Sequence, residues 1–471
     1  MSHFVVIGGG PGGYVAAFAA ARAGMEVTLI EKEAIGGTCL NKGCIPTKTL
    51  KSSAEALQTA KRLAEFGVVG GGEPSVDMPA VVARKEKVRG ILVGGLEKAC
   101  ENLKVRLVKG RAELLGEGKV VAHTAEGTEE FSADHILLAT GSDNLNLPSL
   151  PVDHKHIITS DDALNLETVP KRVVVVGGGV IGCEFAFILR EFGAEVTIVE
   201  GLERLLPLPS VDEDLSKLLQ REGKKSKIQT ELAATVSKAT VRPDGVVECQ
   251  IGPSPFVENS KAKEKVIEAD LVLVSIGRVP VTEGLGLEAA GVAVDKRGWI
   301  TVDERLRTSA KGIYAIGDAL GPSKVMLAHV ASAEGLCVVD ECLGKGWDMD
   351  YNVIPSGIFT SPEIGTVGLS EAQAVAAGYE VAVNTFQFRE LGKAQAMGEI
   401  PGLFKVICEA KGGKVLGVHI AGAHATDLIA EATLALKMGA TVEDIAQTIH
   451  AHPTLAEGLW EAVLPLAQQV K

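Results

Sequence analysis

The chain has 471 residues, 46 % hydrophobic and 23 % charged, the proportions of a globular protein of about three domains at roughly 150 residues each. A net charge of −13 argues against a nucleic-acid binder, which needs a basic surface to displace counterions. The uncharged run at residues 4–21 holds five glycines and a proline and follows no basic segment, so it reads as strand, turn and helix rather than a membrane span or a secretory signal. Eight cysteines in a chain this long do not form the pattern of a secreted disulfide framework, and a reducing, cytoplasmic setting is expected.

Residues 4–31 (FVVIGGGPGGYVAAFAAARAGMEVTLIE) begin with a β-branched run, turn on glycines, continue through an Ala-rich helical stretch and end in a second apolar strand. This is a βαβ unit, and it recurs without a gap at an offset of 169, in residues 173–200 (VVVVGGGVIGCEFAFILREFGAEVTIVE). In the first copy Gly8 permits the tight turn, Gly10 lets backbone approach a pyrophosphate, and Gly13 allows close helix–strand packing. Glu31 follows 18 residues past Gly13, at the distance expected for an acid on a ribose. Gly177, Gly179, Gly182 and Glu200 repeat the arrangement. A carboxylate at Glu200 accepts from a ribose hydroxyl and repels a 2′-phosphate, and Arg204 is the one cation nearby, which favours NAD over NADP. The plainer alternative at each fingerprint is a tight βα turn with a solvated acid at the strand end. Two such sites fit FAD and NAD best.

Between the two copies lies GGTCLNKGCIPTK, residues 36–48. Cys39 and Cys44 stand in a glycine-framed loop, Pro46 suits the first turn of a helix, and Lys42 and Lys48 provide cations. Thiols near a helix N-terminus and a cation have lowered pKa values, so a redox-active pair is expected. Cys337 and Cys342 share the spacing but lack Gly or Pro between them, and residues five apart on a helix face different ways; they read as core or surface thiols.

Further on, the strand-like ILLATG (136–141) and LVLVSIG (271–277) close the two units. The second unit reads as an insertion in the first, giving residues 1–147 and 276–349 as a FAD-binding domain and 148–275 as an NAD-binding domain. The polar stretch 254–265 reads as a hairpin or surface excursion. KGIYAIGD (311–318) is another buried strand ending at a cofactor. From 350 to 471 the character changes to a separate α+β domain, with strand-like 353–368, 404–407 and 415–420 and helical 426–439 and 441–450. Near its end, HAHPTLAE sets His452 five residues before Glu457. The pair fits a general base whose tautomer a carboxylate fixes, or equally a helix cap with a satisfied His. No metal site is expected, because His450 and His452 lack two further ligands nearby.

These motifs, with ATGS at 139–142, SIGRVP at 275–280, MLAHVASAEG at 326–335 and IPSGIFTSPEIGTVGLSE at 354–371, span nearly the whole chain. In this order they resemble the pyridine nucleotide–disulfide oxidoreductases. The resemblance implies Cys39 as the thiol meeting substrate, Cys44 as the thiol beside the flavin, Lys48 near the flavin paired with Glu184 near the nicotinamide, and His452 as base held by Glu457. It implies FAD contacts at Gly8, Gly10, Gly13, Glu31, Thr38, Lys48, Ala112, Gly141, Asp318 and Ala328, and NAD contacts at Gly177, Gly179, Gly182, Glu184, Glu200, Val236 and Gly277. It also implies a C-terminal dimerisation domain and a homodimer in which the partner supplies the His. The CIPTK and HAHPT contexts look like the members that oxidise dihydrolipoamide, free or on a lipoyl carrier domain of a 2-oxo-acid dehydrogenase or glycine cleavage complex. Reduction of a glutathione-like disulfide or mercuric ion, a diaphorase or NADH oxidase activity, and a complex subunit with vestigial turnover are the alternatives. Lys42, Asn144, Val281 and residues 388–394 depart from the family's usual pattern.

Overall fold

In a computed structural model, residues 2–70, 73–116, 118–346 and 348–470 are described. Both βαβ copies lie in five-stranded parallel sheets. The first orders its strands Ile313–Ala315, His135–Leu138, His3–Ile7, Glu26–Glu31 and Arg106–Lys109. The second runs Ile157–Ile158, Leu271–Val274, Arg172–Val176, Glu195–Val199 and Gln229–Glu231. Central strands are buried on both faces, which is why they read as continuous Val, Ile and Leu runs instead of alternating.

The repeat runs deeper than the sequence match. Each unit follows its second strand with a helix feeding a third parallel strand, Met78–Leu103 in the first and Glu213–Lys225 in the second. Each then forms a three-stranded antiparallel meander. In the first unit its strands are Arg111–Gly116, Lys119–Thr124 and Gly127–Ser132; in the second they are Ala234–Val241, Val247–Pro253 and Lys265–Ala269. The polar stretch 254–265 connects the last two of these strands. Ile313–Ala315 pairs with His135–Leu138, so the chain leaves the first sheet, builds the second and comes back. The passage is marked by a two-stranded ladder between Ser142–Asn144 and Arg278–Pro280. Here Asn144 has a use: its side chain accepts from Arg278 (3.3 Å) and donates to Asp161 (3.0 Å).

Small residues bring the helix Pro11–Arg22 against Ala328–Cys342. A Cβ on Gly335 would stand 2.7 Å from the Gly12 carbonyl oxygen, too close for any side chain. The C-terminal region is a five-stranded antiparallel sheet, ordered Ser356–Ile358, Glu363–Gly368, Val415–Gly422, Leu403–Glu409 and Val381–Gln387, with helices Ala425–Met438 and Glu457–Gln469 on it. The helical reading of 441–450 narrows to Val442–Gln447, which Thr441 caps, and His450 lies outside it. Among the described residues no helix is long and apolar enough to cross a membrane.

Candidate active site

Cys39 lies on the short helix Gly37–Asn41, and Cys44 opens the 18-residue helix Cys44–Lys61. Both are free thiols, hydrogen-bonded to each other. That bond and the Lys48 charge pull Cys44 down to about 7 against the opposing effect of burial. Cys39 moves the other way, raised by the same bond and by burial. Across the pair one proton leaves easily and the second is held. Helix N-terminal position works in the same sense on Cys44.

The expectation that Lys42 also serves the thiols is corrected. Its ammonium lies 2.7 Å from Glu33, and Lys48 is the cation acting on both cysteines. Loop position explains this: Lys42 ends the short helix Gly37–Asn41, and Glu33, two residues past the strand Glu26–Glu31, is within its reach. Tyr14, which sequence reasoning passed over, sits beside the pair; burial and then the two thiols raise its hydroxyl. Cys337 (about 12) and Cys342 (about 11) are raised mainly by burial and are poor nucleophiles, as their setting suggested.

Lys48, one helical turn past Cys44, reaches into the second unit. Its Nζ contacts both oxygens of Glu184 at 2.9 and 2.8 Å and lies 4.4 Å over the Phe359 ring. The Phe359 N–H also donates to Glu184 (3.0 Å). The C-terminal region thereby braces an ion pair that joins the two nucleotide units.

The two fingerprints offer matching cradles. Gly8 and Gly177 have positive φ, and a Cβ there would strike the carbonyl oxygens of Ala139 (2.3 Å) and Ser275 (2.4 Å). Gly13 and Gly182 are closed tighter, 1.9 Å from the carbonyls of Gly8 and Gly177. Gly10 and Gly179, which cap the two helices, are different. The nearest atom to a Cβ on Gly10 is 3.9 Å away, and around Gly179 there is nothing within 4 Å. Open backbone at a helix N-terminus is the space a pyrophosphate fills. Glu31 accepts from the N–H of Gly9 (2.6 Å) and Glu33 (2.8 Å), and Glu200 from Gly178 (2.5 Å) and Leu202 (2.8 Å). Each carboxylate is thus fixed at the lip of its cradle. Arg204 is engaged elsewhere, donating to Val211 O, Ser216 Oγ and Leu208 O, so it is not free to clamp a 2′-phosphate. The residues present fit two dinucleotides.

The thiol loop is bolted to the first cradle. Gly36 donates to the Gly9 carbonyl (2.7 Å), and a Cβ on Gly37 would sit 2.5 Å from Gly10 Cα. Thr38 follows directly. Asp318 accepts from Ser142 (2.7 Å) and lies 3.8 Å from Arg278 Nε, at the start of a 3-10 turn; Ala328 begins the helix Ala328–Cys342. Gly141 and Gly277 both have positive φ, each immediately before a strand of the two-stranded ladder Ser142–Asn144 and Arg278–Pro280. Ala112 and Val236 are buried on the first strands of the two meanders.

His452 Nδ1 is 2.7 Å from Glu457, whose other oxygen accepts from Thr454 N–H (2.8 Å). Those two bonds, the backbone one first, hold the Glu457 carboxyl below its usual range. Glu457 therefore orients the imidazole and also ties the turn before its own helix. The helix starts at Glu457 itself, beyond Pro453. Within one chain His452 is not brought to the thiols: it is 77 % exposed, and the groups acting on Cys39 and Cys44 do not include it. Among the described residues no three His, Cys, Asp or Glu side chains are grouped to hold a metal.

This arrangement defines a two-dinucleotide dithiol oxidoreductase. Residues 2–335 match the model of the family described as pyridine nucleotide-disulphide oxidoreductase, and residues 354–463 match that family's dimerisation domain. Curated relatives include a dihydrolipoyl dehydrogenase of Chlorobaculum parvum, 42 % identical over 98 % of this chain and 96 % of its own length. One from Haloferax volcanii is 40 % identical, with 98 % and 95 % covered. A leghemoglobin reductase of Glycine max is also 40 % identical, with 98 % and 86 % covered. Among solved structures, LpdA of Mycobacterium tuberculosis superposes with a TM-score of 0.90 at 29 % identity, covering 99 % of this chain and 100 % of the other. The HOCl-induced flavoprotein disulfide reductase RclA of Escherichia coli, as its Cu(II) complex, gives 0.85 at 27 %, with 98 % of each covered. The chain belongs to the pyridine nucleotide-disulphide oxidoreductase family. It is an FAD-dependent, NAD-linked enzyme of that family.

Proposed function

We propose that the chain oxidises dihydrolipoamide to lipoamide with reduction of NAD⁺. The observation that carries this is the unequal thiol pair: Cys44 at a helix N-terminus beside the Lys48–Glu184 bridge and lowered to about 7, and Cys39 on the preceding short helix, raised by its bond to Cys44 and by burial although the Lys48 charge opposes this. The name shared by relatives at about 40 % identity supports the substrate.

In the oxidised chain Cys39 and Cys44 are joined. His452 accepts the proton of one substrate thiol, and the resulting thiolate attacks Cys39 Sγ. The Cys39–Cys44 bond breaks and Cys44 leaves as a thiolate, which Lys48 and the helix N-terminus stabilise. The second substrate thiol gives up its proton and attacks the substrate sulfur held on Cys39. Cyclic lipoamide departs, and both electrons of the dithiol remain on Cys39 and Cys44. Bound FAD and NAD⁺ supply the two-electron transfer that reoxidises the pair. Gly10 and Gly179 with their helix N-termini, Glu31 and Glu200 on the riboses, and Asp318 near the flavin chain would hold those cofactors, with Thr38, Ala112, Gly141 and Ala328 toward FAD and Val236 and Gly277 toward NAD.

The base comes from a second copy of the chain. Exposure of His452, the dimerisation domain that carries it, and the exposed apolar side chains of Leu434, Met438 and Ile449 in that domain support a homodimer. The carrier of the dithiol is read as a lipoyl domain of a 2-oxo-acid dehydrogenase or glycine cleavage complex. Six further cysteines are unpaired, five of them buried, which fits a reducing compartment such as the cytosol. The test is Cys44→Ser: lipoamide turnover should vanish while FAD stays bound, and retained turnover would overturn the reading. Assays of NADH and NADPH with lipoamide and glutathione disulfide separate this activity from a glutathione-type reductase.

A further inference from the structure

The polar connection between the strands Val247–Pro253 and Lys265–Ala269 carries Phe256, 73 % exposed in a chain whose aromatic content is 4 %. A single exposed Phe is ordinary on a protein surface. This one is placed by a fixed scaffold. Ala233, with φ at +49°, donates to Leu202 O (2.8 Å), and its carbonyl accepts from Ser254 N–H (2.9 Å) and Ser260 Oγ (2.6 Å). The Phe256 N–H donates in turn to Ser254 Oγ (3.2 Å). The ring lies along Gly201, the residue after Glu200: a Cβ on Gly201 would be 3.2 Å from Phe256 Cδ2. Absence of a side chain at Gly201 is what lets the ring approach.

Phe256 forms one wall of a cleft of ≈ 470 Å³ whose other walls include Leu202, Glu203, Pro207 and Glu258. Leu202 is also the residue whose N–H fixes the ribose-facing Glu200 carboxylate, so the cleft opens directly beside that acid. An aromatic face suits a flat base. Arg204 also lines the cleft, but its guanidinium is engaged by Val211 O, Ser216 Oγ and Leu208 O, so the acidic side chains Glu203 and Glu258 disfavour a phosphate there and can accept from an exocyclic amine such as that of adenine. We propose that Phe256 stacks on the adenine of NAD and that the 254–258 segment is the outer wall of the adenine subsite. This rests on reading the second fingerprint as the NAD site.

The test uses the FAD-loaded protein with ADP-ribose as probe, followed by calorimetry. Phe256→Ala should weaken ADP-ribose binding roughly 10-fold, the loss expected for one base–aromatic stack. Phe256→Trp should retain binding, which shows that the ring matters and not the loop's fold. Reduction of the bound flavin by dihydrolipoamide, which needs no NAD, should be unchanged in both. Equal ADP-ribose affinity in Phe256→Ala and the parent overturns the Phe256 assignment alone. A parent protein that does not bind ADP-ribose overturns it together with the NAD reading of the second fingerprint.

Discussion

Lys48 and Glu184 lie 136 residues apart in sequence, yet both carboxylate oxygens of Glu184 are within 2.9 Å of the Lys48 ammonium. Glu184 is the more deeply buried partner, its side chain 5 % exposed against 28 % for Lys48. Removal of the cation therefore strands a buried carboxylate whose remaining donor among the described residues is the Phe359 N–H at 3.0 Å. Lys48→Met should destabilise the chain by about 3 kcal/mol, and Lys48→Met/Glu184→Leu should recover most of it. Urea denaturation of the three proteins checks this; equal midpoints for Lys48→Met and the parent would refute it.

The same cation contributes to the pH behaviour of Cys44. Cys44 is lowered to about 7, first by its bond from Cys39 and then by Lys48. A lowered acid holds its charged form above that value and loses it as pH falls through it. Thiolate absorbance of the reduced protein should rise with a midpoint near pH 7, and Cys44→Ser should remove that step. In Lys48→Met the midpoint should move up toward the ordinary thiol range, about 8.5. A midpoint unmoved by Lys48→Met would assign the effect to the helix N-terminus and the Cys39 bond.

What was legible beforehand follows from locality. The glycine cradles, both acids and the cysteine loop are set within about 45 residues of contiguous chain each, and a βαβ unit writes itself in β-branched runs and turn glycines. The helix Met78–Leu103 is mostly exposed and carries Gly90, Gly94 and Gly95, so no apolar stripe announces it. The meanders are weakly announced because strands such as Gly127–Ser132 and Lys265–Ala269 are mostly exposed and present no continuous apolar face. The direction of Lys42 and the roles of Tyr14 and Phe359 depend on which segments pack together, which no local pattern encodes. Family resemblance gave Lys48 a partner in Glu184; residue types alone did not.

His452 stands exposed beside Glu457 and away from its own chain's thiols. If the partner subunit supplies the base, His452→Ala and Cys39→Ser should each abolish dihydrolipoamide oxidation, by about 10²–10⁴-fold for the former. Refolded together in equal amounts, they should regain about a quarter of parental activity, because half the dimers are mixed and each mixed dimer has one complete site. No recovery on mixing, with mixed dimers shown to form, would place the base within the same chain.

Glu334 is fully buried, accepting from Gly317 N–H (2.6 Å) and the Tyr351 hydroxyl (2.7 Å). Burial raises its carboxyl above the usual range, more than those two bonds lower it. A group raised in the folded state stabilises fully below its unfolded value and loses that contribution as pH rises through the folded one. Glu334→Gln should therefore flatten the decline in melting temperature between mildly acidic and neutral pH, with Tyr351 still able to bond the amide. An identical decline in both proteins would show that Glu334 does not titrate there.

The sharpest test of the cradles compares two glycines three residues apart. Gly182 has no room: an added methyl would lie 1.9 Å from the Gly177 carbonyl oxygen and 2.7 Å from Ser275 Oγ. Gly179 has φ −73°, a value any residue adopts, and nothing within 4 Å of an added methyl. Packing among the described residues does not require its lack of a side chain, whereas the proposed pyrophosphate would. Gly182→Ala should cost stability, about 1–3 kcal/mol for an overpacked helix–strand contact. Gly179→Ala should melt with the parent but bind ADP-ribose at least 10-fold more weakly, since the methyl occupies the space of the pyrophosphate. Parental ADP-ribose affinity in Gly179→Ala would mean that the open space above this helix is not where the dinucleotide lies.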